Sequence, residues 1–131
     1  MPVVKEREGL REISLPQEFM TENGKWKVTI ESYELLEEKL EFTLLIENRQ
    51  EKIAECKIDE HKTYLLDNLA NEYHSPSTEG YKKLIPRMPV KFYLTFSDLK
   101  EGVEVVVLYL NFKSDDGTET NWAVGPIKLE R

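Results

Sequence analysis

The sequence predicts an all-β protein, an immunoglobulin-like antiparallel β-sandwich of seven to nine short strands with little or no helix. Apolar and polar residues alternate with a period of two in several separate segments, most clearly over 90–96 and 103–112. Turns containing Gly, Asn or Asp separate these segments at short intervals, which is typical of a sandwich. Helical spacing is tolerated only over 33–39 and 58–69, at most about three turns each.

Two regions are expected along the chain. Residues 1–22 are a charged N-terminal segment with a candidate edge strand, which Pro16 confines to an edge or a bend. Residues 23–131 are the immunoglobulin-like sandwich domain. A chain of 131 residues is long enough to bury a core without disulfides or a structural metal.

The strands follow one another through short polar turns. After a tight turn at Asn23-Gly24, residues 25–31 and 40–47 are expected to be antiparallel neighbours, separated by a charged break at 34–39. Further strands are predicted at 51–59, 63–67, 72–74, 90–96, 103–112 and 122–129. The strands 90–96 and 103–112 are predicted to pair as a hairpin, because only 97–102 lie between them.

In each strand, every second residue is apolar and is expected to point inward. These inward residues predict one core, formed by Trp26, Phe42, Leu44, Phe92, Leu94 and Leu108. Cys56 falls in the same phase as Ala54 and Ile58. A reactive thiol needs an exposed site with a neighbouring cation, whereas free cysteine is among the most buried residue types. Cys56 is therefore expected to be a core residue.

Composition excludes some partners. The net charge of -7 and the absence of any basic run longer than Lys82-Lys83 argue against nucleic acid and anionic membranes. No apolar run is long enough for direct membrane insertion. The start of the chain has no apolar signal region, so either the protein is cytoplasmic or a signal segment has been removed. The high Glu and Lys content is compatible with a thermophilic source.

No chemical motif stands out, so we expect no catalytic residue, metal ligand or cofactor, and no enzyme. His61 and His74 do not match the spacing of a zinc site, which leaves a small hydrolase or metal-binding protein as a minor alternative. Residues 115–117 fit a hairpin turn better than a calcium loop, since strands flank them. Ser75 and Ser77 lie near His74 but lack a nucleophile elbow.

The middle of the chain carries a familiar order of residues: Asp59, then Tyr64-Leu65-Leu66-Asp67, then Asn71-Glu72-Tyr73, then Ile85-Pro86. It resembles the telokin-like, immunoglobulin-like domains of unknown function in bacterial and archaeal secreted proteins and lipoproteins. The chain departs from that pattern at Ala70, where relatives often have Gly. The resemblance implies an accessory or binding module at the cell surface or outside it, and it supplies no active-site residues.

The strand 103–112 is apolar on both faces, which is unusual when one side of a sheet meets water. Val105, Val107 and Tyr109, with Tyr93 beside them, are the candidate partner surface. This outer face could be covered in three ways: by residues 1–20, by a second copy in a homodimer, or by another protein. We therefore expect a non-enzymatic interaction module that binds protein through a sheet face or strand edge.

The alternative function is inhibition of a protease or other enzyme by a protruding loop at 74–89. Its candidate contact residues are His74, Ser75, Pro76 and Ser77, in the most loop-like stretch of the chain.

Overall fold

The computed structural model describes residues 12–130, which contain eleven β-strands and no helix. The strands are β1 Gln17–Met20, β2 Trp26–Leu36, β3 Lys39–Asn48, β4 Ala54–Ile58, β5 Tyr64–Asp67, β6 Glu72–His74, β7 Ser77–Thr78, β8 Lys82–Leu84, β9 Val90–Phe96, β10 Val105–Ser114 and β11 Glu119–Lys128. No helix in this part of the chain is long and apolar enough to cross a bilayer.

The strands form two antiparallel sheets, which confirms the predicted all-β sandwich. The first sheet has the order β1-β2-β3-β9-β7. The second has the order β6-β5-β10-β4-β8, and β11 pairs with β10. The strands outnumber the predicted seven to nine because β7 and β8, which are only two and three residues long, are too short for alternation to be visible in the sequence.

The predicted core is confirmed. Its six predicted members, Trp26, Phe42, Leu44, Phe92, Leu94 and Leu108, are all fully buried. The Trp26 and Phe112 rings meet between the sheets in an edge-on arrangement, with centroids 5.5 Å apart. Cys56 is also fully buried, and burial, followed by the nearby Asp115 carboxylate, raises its pKa to about 12.

The predicted hairpin of 90–96 with 103–112 is wrong. Strand β9 pairs with β3 and β7 in the first sheet, whereas β10 pairs with β11, β5 and β4 in the second. The connection between them crosses the sandwich, because Leu99 and Val103 are buried in the core. The backbone N–H of Leu99 donates to the Glu38 carbonyl at 2.8 Å, which holds the crossing against the β2–β3 turn.

The predicted charged break at 34–39 is instead the tip of a hairpin. Strand β2 continues to Leu36 and β3 begins at Lys39, with Glu37 in the left-handed region at φ 58°. A bulge between Ile30 and Ser32 shifts the register. The tip reaches beyond the core, as the exposure of residues 36–39 shows, so charged side chains there remain in water.

Strand β10 is the central strand of the second sheet. One of its edges pairs with β11, and the other pairs with β5 over 106–109 and with β4 over 112–114. Its inward side chains, Val106, Leu108, Leu110 and Phe112, are buried. Its outward side chains Val105, Val107 and Tyr109 are half-buried.

The N-terminal prediction is only partly covered by the structure. Strand β1 lies at the edge of the first sheet, as predicted for an edge strand, and Ile13 bridges to Ile127. Residues 1–11 lie outside the described residues, so the suggestion that residues 1–20 cover the outer side of β10 stays a prediction.

We expect Phe92→Ala to lower the free energy of unfolding by about 3–5 kcal/mol, because it removes a fully buried ring from the core. Urea unfolding followed by circular dichroism measures the loss. The matched control is Tyr93→Ala, the next residue on β9, which is 43% exposed and should cost less than about 1 kcal/mol. Equal losses in the two variants would show that the phase of β9 is wrong.

Candidate functional site

Three rings stand in a row on the outer face of the second sheet. His74 on β6 pairs with Tyr64 on β5, and Tyr64 pairs with Tyr109 on β10. The Tyr64 and Tyr109 rings are stacked, with centroids 4.6 Å apart and planes 12° apart. The Tyr64 and His74 rings are stacked at 5.2 Å and 21°. We call these three residues the ring ladder.

The ring ladder ends beside an open slot. The next residue in the same register is Ala123 on β11, which pairs with Tyr109 and carries only a methyl group. The face of Tyr109 that is turned away from Tyr64 therefore has no ring against it. The slot has a volume of about 350 Å³ and is lined by Lys62, Tyr64, Tyr109, Leu110, Asn121, Trp122 and Ala123.

A polar cluster borders the slot. The Asn111 amide donates to Glu119 Oε2 and to Asn121 Oδ1, both at 2.8 Å. Lys62 Nζ lies 2.9 Å from Glu119 Oε2, so this lysine spans β10. The hydrogen bond from Lys62, followed by that from Asn111, lowers the pKa of Glu119. The cluster is charged but internally paired, so this border of the slot is close to neutral.

A turn between β4 and β5 positions Lys62. The Asp59 carbonyl accepts hydrogen bonds from the backbone N–H groups of Lys62 and Thr63, at 3.2 and 3.0 Å. Its carboxylate accepts from the His61 N–H at 2.9 Å and lies 2.7 Å from Lys113 Nζ. Burial opposes ionisation of Asp59, but its bonds to Lys113 and the His61 N–H outweigh this effect and lower its pKa.

A second buried aspartate fixes the β5–β6 turn and hence the His74 end of the ring ladder. Asp67 Oδ1 accepts from the N–H groups of Leu69 and Asn71, at 2.8 and 2.9 Å. Asp67 Oδ2 accepts from the Tyr73 hydroxyl at 2.7 Å, and that hydroxyl accepts from the Lys100 N–H at 3.1 Å. Burial opposes ionisation, but the hydrogen bonds from Tyr73 and Asn71 outweigh it, and the pKa of Asp67 lies below 3.8.

Strand β11 has a free edge next to the slot. Its only strand partner among residues 12–130 is β10, apart from the single bridge between Ile13 and Ile127. Along this edge lies a cleft that the described residues Glu22, Asn23, Thr118, Glu119, Thr120 and Asn121 line, with no Lys or Arg among them. We call it the acidic cleft. Residues 119–124 therefore have no described strand paired to their second edge, which lies between the slot and the carboxylates of Glu22 and Glu119.

The structure divides the predicted partner surface. Val105, Val107 and Tyr109 do share the outer face of β10, and Val107 pairs with the half-buried Leu66. Tyr93 does not lie beside them, because β9 belongs to the other sheet. The prediction that it joins this stripe is wrong, for the same reason that the β9–β10 hairpin is wrong.

The predicted inhibitory loop is held against the sandwich. Ser77 pairs with Thr95, and Thr78 pairs with Leu94. Pro76 is buried, whereas His74 and Ser75 are exposed. Beyond them, Lys82 pairs with Cys56 on β4. The segment 74–89 thus passes from the second sheet to the first and back, with strand pairing in each.

Each of the two histidines lies near one glutamate carboxylate. His61 is 79% exposed and lies 4.0 Å from Glu60, and His74 Nε2 lies 2.8 Å from Glu72 Oε1. Within residues 12–130, no group of three or more His, Cys, Asp or Glu side chains is placed to hold a metal ion. Asp116, in the predicted hairpin turn, bonds to Ser114 and Thr118, which lowers its pKa.

Sequence reasoning did not find Tyr64, Lys62 or Ala123 as site residues. Tyr64 and His74 lie in strands that were predicted, but alternation does not reveal which residues of two strands stand opposite each other. The one available signal was the position of Tyr64 beside the buried Leu65, which sets Tyr64 on the outer face.

The comparisons with known proteins establish likeness of fold alone. No protein-family model matches the sequence, and no curated protein is significantly similar to it. The crystal structure of the yjhA protein from Bacillus subtilis is similar at a TM-score of 0.57 and 13% identity, over 87% of this chain and 96% of that one. A candidate lipoprotein, ycdA from Bacillus subtilis, is similar at a TM-score of 0.51 and 10% identity, over 86% of this chain and 39% of that one.

We expect Asp67→Asn to destabilise the protein by about 2 kcal/mol at pH 7, because it weakens hydrogen bonds to a charged group. The pKa of Asp67 is lower in the folded state than its ordinary value of 3.8, so its ionisation favours folding above that value. This contribution disappears as the pH falls below 3.8 and through the folded-state pKa.

Urea unfolding at pH 7 and pH 3 tests this linkage. The loss of stability between the two pH values should be smaller in Asp67→Asn than in the wild type. The control is Asp98→Asn, an exposed aspartate in the β9–β10 connection, which should keep the stability of the wild type at pH 7. An unchanged pH dependence in Asp67→Asn would contradict the assignment.

Proposed function

We propose that this protein is a non-enzymatic, immunoglobulin-like interaction module that binds a protein partner through the outer face of its second sheet. The observation that carries the proposal is the ring ladder, which ends in an open slot beside the free edge of β11. Side chains with large rings at the centre of a surface are the usual anchors of protein interfaces.

The composition of this face supports the proposal. Its centre is apolar and aromatic, with Val107, Leu66, Tyr64 and Tyr109 all half-buried. The paired Lys62–Glu119 group lies at the border. Interfaces of protein complexes have this arrangement, with few charges at the centre and a polar rim. Covering the apolar centre removes it from water, at roughly 25 cal/mol per Å².

The sheet face is favoured over the loop at 74–89. An inhibitory loop that enters an active site has to present its backbone away from the body of its own protein. Here Ser77 and Thr78 pair with β9, and Glu79 accepts a hydrogen bond from the Tyr93 N–H at 3.1 Å. The paired stretches Ser77–Thr78 and Lys82–Leu84 are therefore not free to protrude.

We also propose that the domain is telokin-like and works at the cell surface or outside the cell. This rests on the sequence resemblance around Asp59, Tyr64–Asp67 and Asn71. The fold shared with the candidate lipoprotein ycdA is in keeping with this location.

The simplest protein partner is a second copy of the chain, bound across a two-fold axis. A two-fold interface uses the same face of both copies, so one outer face would cover the other. The net charge of -7 opposes this association only weakly at physiological salt, where charges are screened beyond about 8 Å.

Light scattering over a concentration series tests self-association. We expect the wild type to form a dimer and Val107→Lys to remain monomeric, because the lysine places a charge at the apolar centre. A wild type that stays monomeric would rule out the second copy and leave another protein as the partner. A dimer that persists in Val107→Lys would show that the copies meet elsewhere.

A capture experiment tests the outer face for other partners. Tagged wild type is cross-linked in an extract of the source organism, in parallel with Tyr109→Glu and with Tyr93→Glu. Tyr93 is the matched control, since it is a strand tyrosine on the opposite sheet. We expect a specific cross-linked protein in the wild type and Tyr93→Glu samples that Tyr109→Glu lacks. Equal loss in both variants, or none in either, would contradict the proposal.

A further inference from the structure

We infer that the slot receives an aromatic side chain from an extended partner segment, which pairs along the free edge of β11. This inference rests on the proposed function and adds the chemistry of the partner. The segment is further inferred to carry a Lys or Arg four positions after the aromatic residue.

The register of the ring ladder specifies the kind of group that fits. His74, Tyr64 and Tyr109 occupy successive strands in one line, with stacked rings at 5.2 and 4.6 Å. Such distances match the spacing of neighbouring strands, about 4.8 Å. The fourth place in the line holds only the Ala123 methyl group, so a flat ring laid over Ala123 would stack on the free face of Tyr109.

The slot is large enough for such a ring. Its volume of about 350 Å³ is at the small end of the range for ligand pockets, roughly 300–1,000 Å³. An aromatic side chain fills a space of this kind with little loss of conformational entropy, since it has only two side-chain torsions. Stacking on a neighbouring ring adds to the gain from burial.

The free edge of β11 explains how the ring is delivered. Exposed strand edges bind extended peptides by backbone hydrogen bonds, and alternate side chains of the peptide then point to one face. A residue paired with Ala123 would direct its side chain to the outer face of the sheet, beside the slot. The small size of Ala123 lets that side chain lean toward Tyr109.

The available edge has a definite limit. At its far end Ile13 pairs with Ile127, and the Ile13 N–H donates to the Pro126 carbonyl at 2.8 Å. Pro126 has no N–H to offer an incoming strand. Pairing is therefore confined to 119–124, the stretch that flanks the slot.

The acidic cleft determines the second feature of the partner. In an antiparallel pair, the residue four positions after the one opposite Ala123 lies opposite Glu119, on the same face. Among the described residues, Glu22 and Glu119 line this region and no Lys or Arg does. A basic side chain there is attracted by the Glu22 carboxylate, and it would share Glu119 with Lys62, which lies 2.9 Å from Glu119 Oε2. The same negative charge disfavours a nucleobase as the stacking ring, since its phosphates would be repelled.

The probe is the capped peptide Thr-Thr-Trp-Thr-Thr-Thr-Lys-Thr, titrated into the isotope-labelled full chain and followed by NMR. We expect shifts of the backbone amides of 119–124 and of the Tyr109 ring. Replacing Trp by Ala in the peptide should weaken binding by about tenfold, as for an anchor residue. Replacing Lys by Glu should weaken it as well, and more so at low salt.

The protein variant is Ala123→Leu, which fills the slot at an exposed strand position. The control is Lys91→Leu, an exposed position on β9 in the other sheet. We expect Ala123→Leu to abolish peptide binding and Lys91→Leu to retain it, with both variants folded by circular dichroism. Peptide binding that is unaffected by Ala123→Leu or by loss of Trp would overturn the inference, as would no binding at all.

Failure of the peptide is distinguishable from failure of the proposed function. If the cross-linked partner depends on Tyr109 but the peptide does not bind, the outer face is an interface and the aromatic anchor is wrong. If a wild-type dimer is lost in Ala123→Leu, the outer faces of two copies meet over the slot, and the inference that an extended segment fills it is overturned.

Discussion

The structure depends on the position of one strand, β10, which is apolar on both faces and paired on both edges. Its inward residues pack against the first sheet, with Phe112 against Trp26 at 5.5 Å. Within residues 12–130, no second sheet lies over its outward residues. Apolar side chains on that face are costly to leave in water, so the neighbours of β10 in the same sheet stabilise it where they shield them.

The ring ladder provides this shield. Tyr64 stands against Tyr109, and Leu66 stands opposite Val107, so β5 screens the side of β10 that it borders. On the other side β11 contributes only Ala123 at the matching position. The shielding is thus asymmetric, and the slot is its consequence. The slot, which we propose as the functional feature, lies where the outer face of β10 has no large side chain beside it on β11.

The local features of this fold could be predicted from the sequence, but its long-range pairing could not. The phase of Phe92, Leu94 and Leu108 follows from alternation and gives the core. The turn at 114–117 follows from its residue types, and the Gly117 N–H donates to the Ser114 carbonyl as expected. Alternation shows only which side of a strand is buried, so β9 and β10 were predicted to pair when they lie in different sheets.

The candidate site shows the same limit. Tyr109 was identified because both faces of its own strand are apolar. Tyr64 and Ala123 belong to the site only through register, since each stands opposite Tyr109 from a different part of the chain. The error over Tyr93 came from assuming a hairpin where Leu99 and Val103 instead carry the chain through the core.

Nuclear Overhauser effects from the Tyr109 ring test the central claim most directly. Opposite residues of an antiparallel pair have Cβ atoms about 4.5–5.5 Å apart, which is within reach of this measurement. The arrangement described here predicts contacts from the Tyr109 ring to the Tyr64 ring and to the Ala123 methyl group, and contacts of β9 with β3. Backbone contacts between β9 and β10 in hairpin register, or a Tyr109 ring that contacts Tyr93, would contradict it.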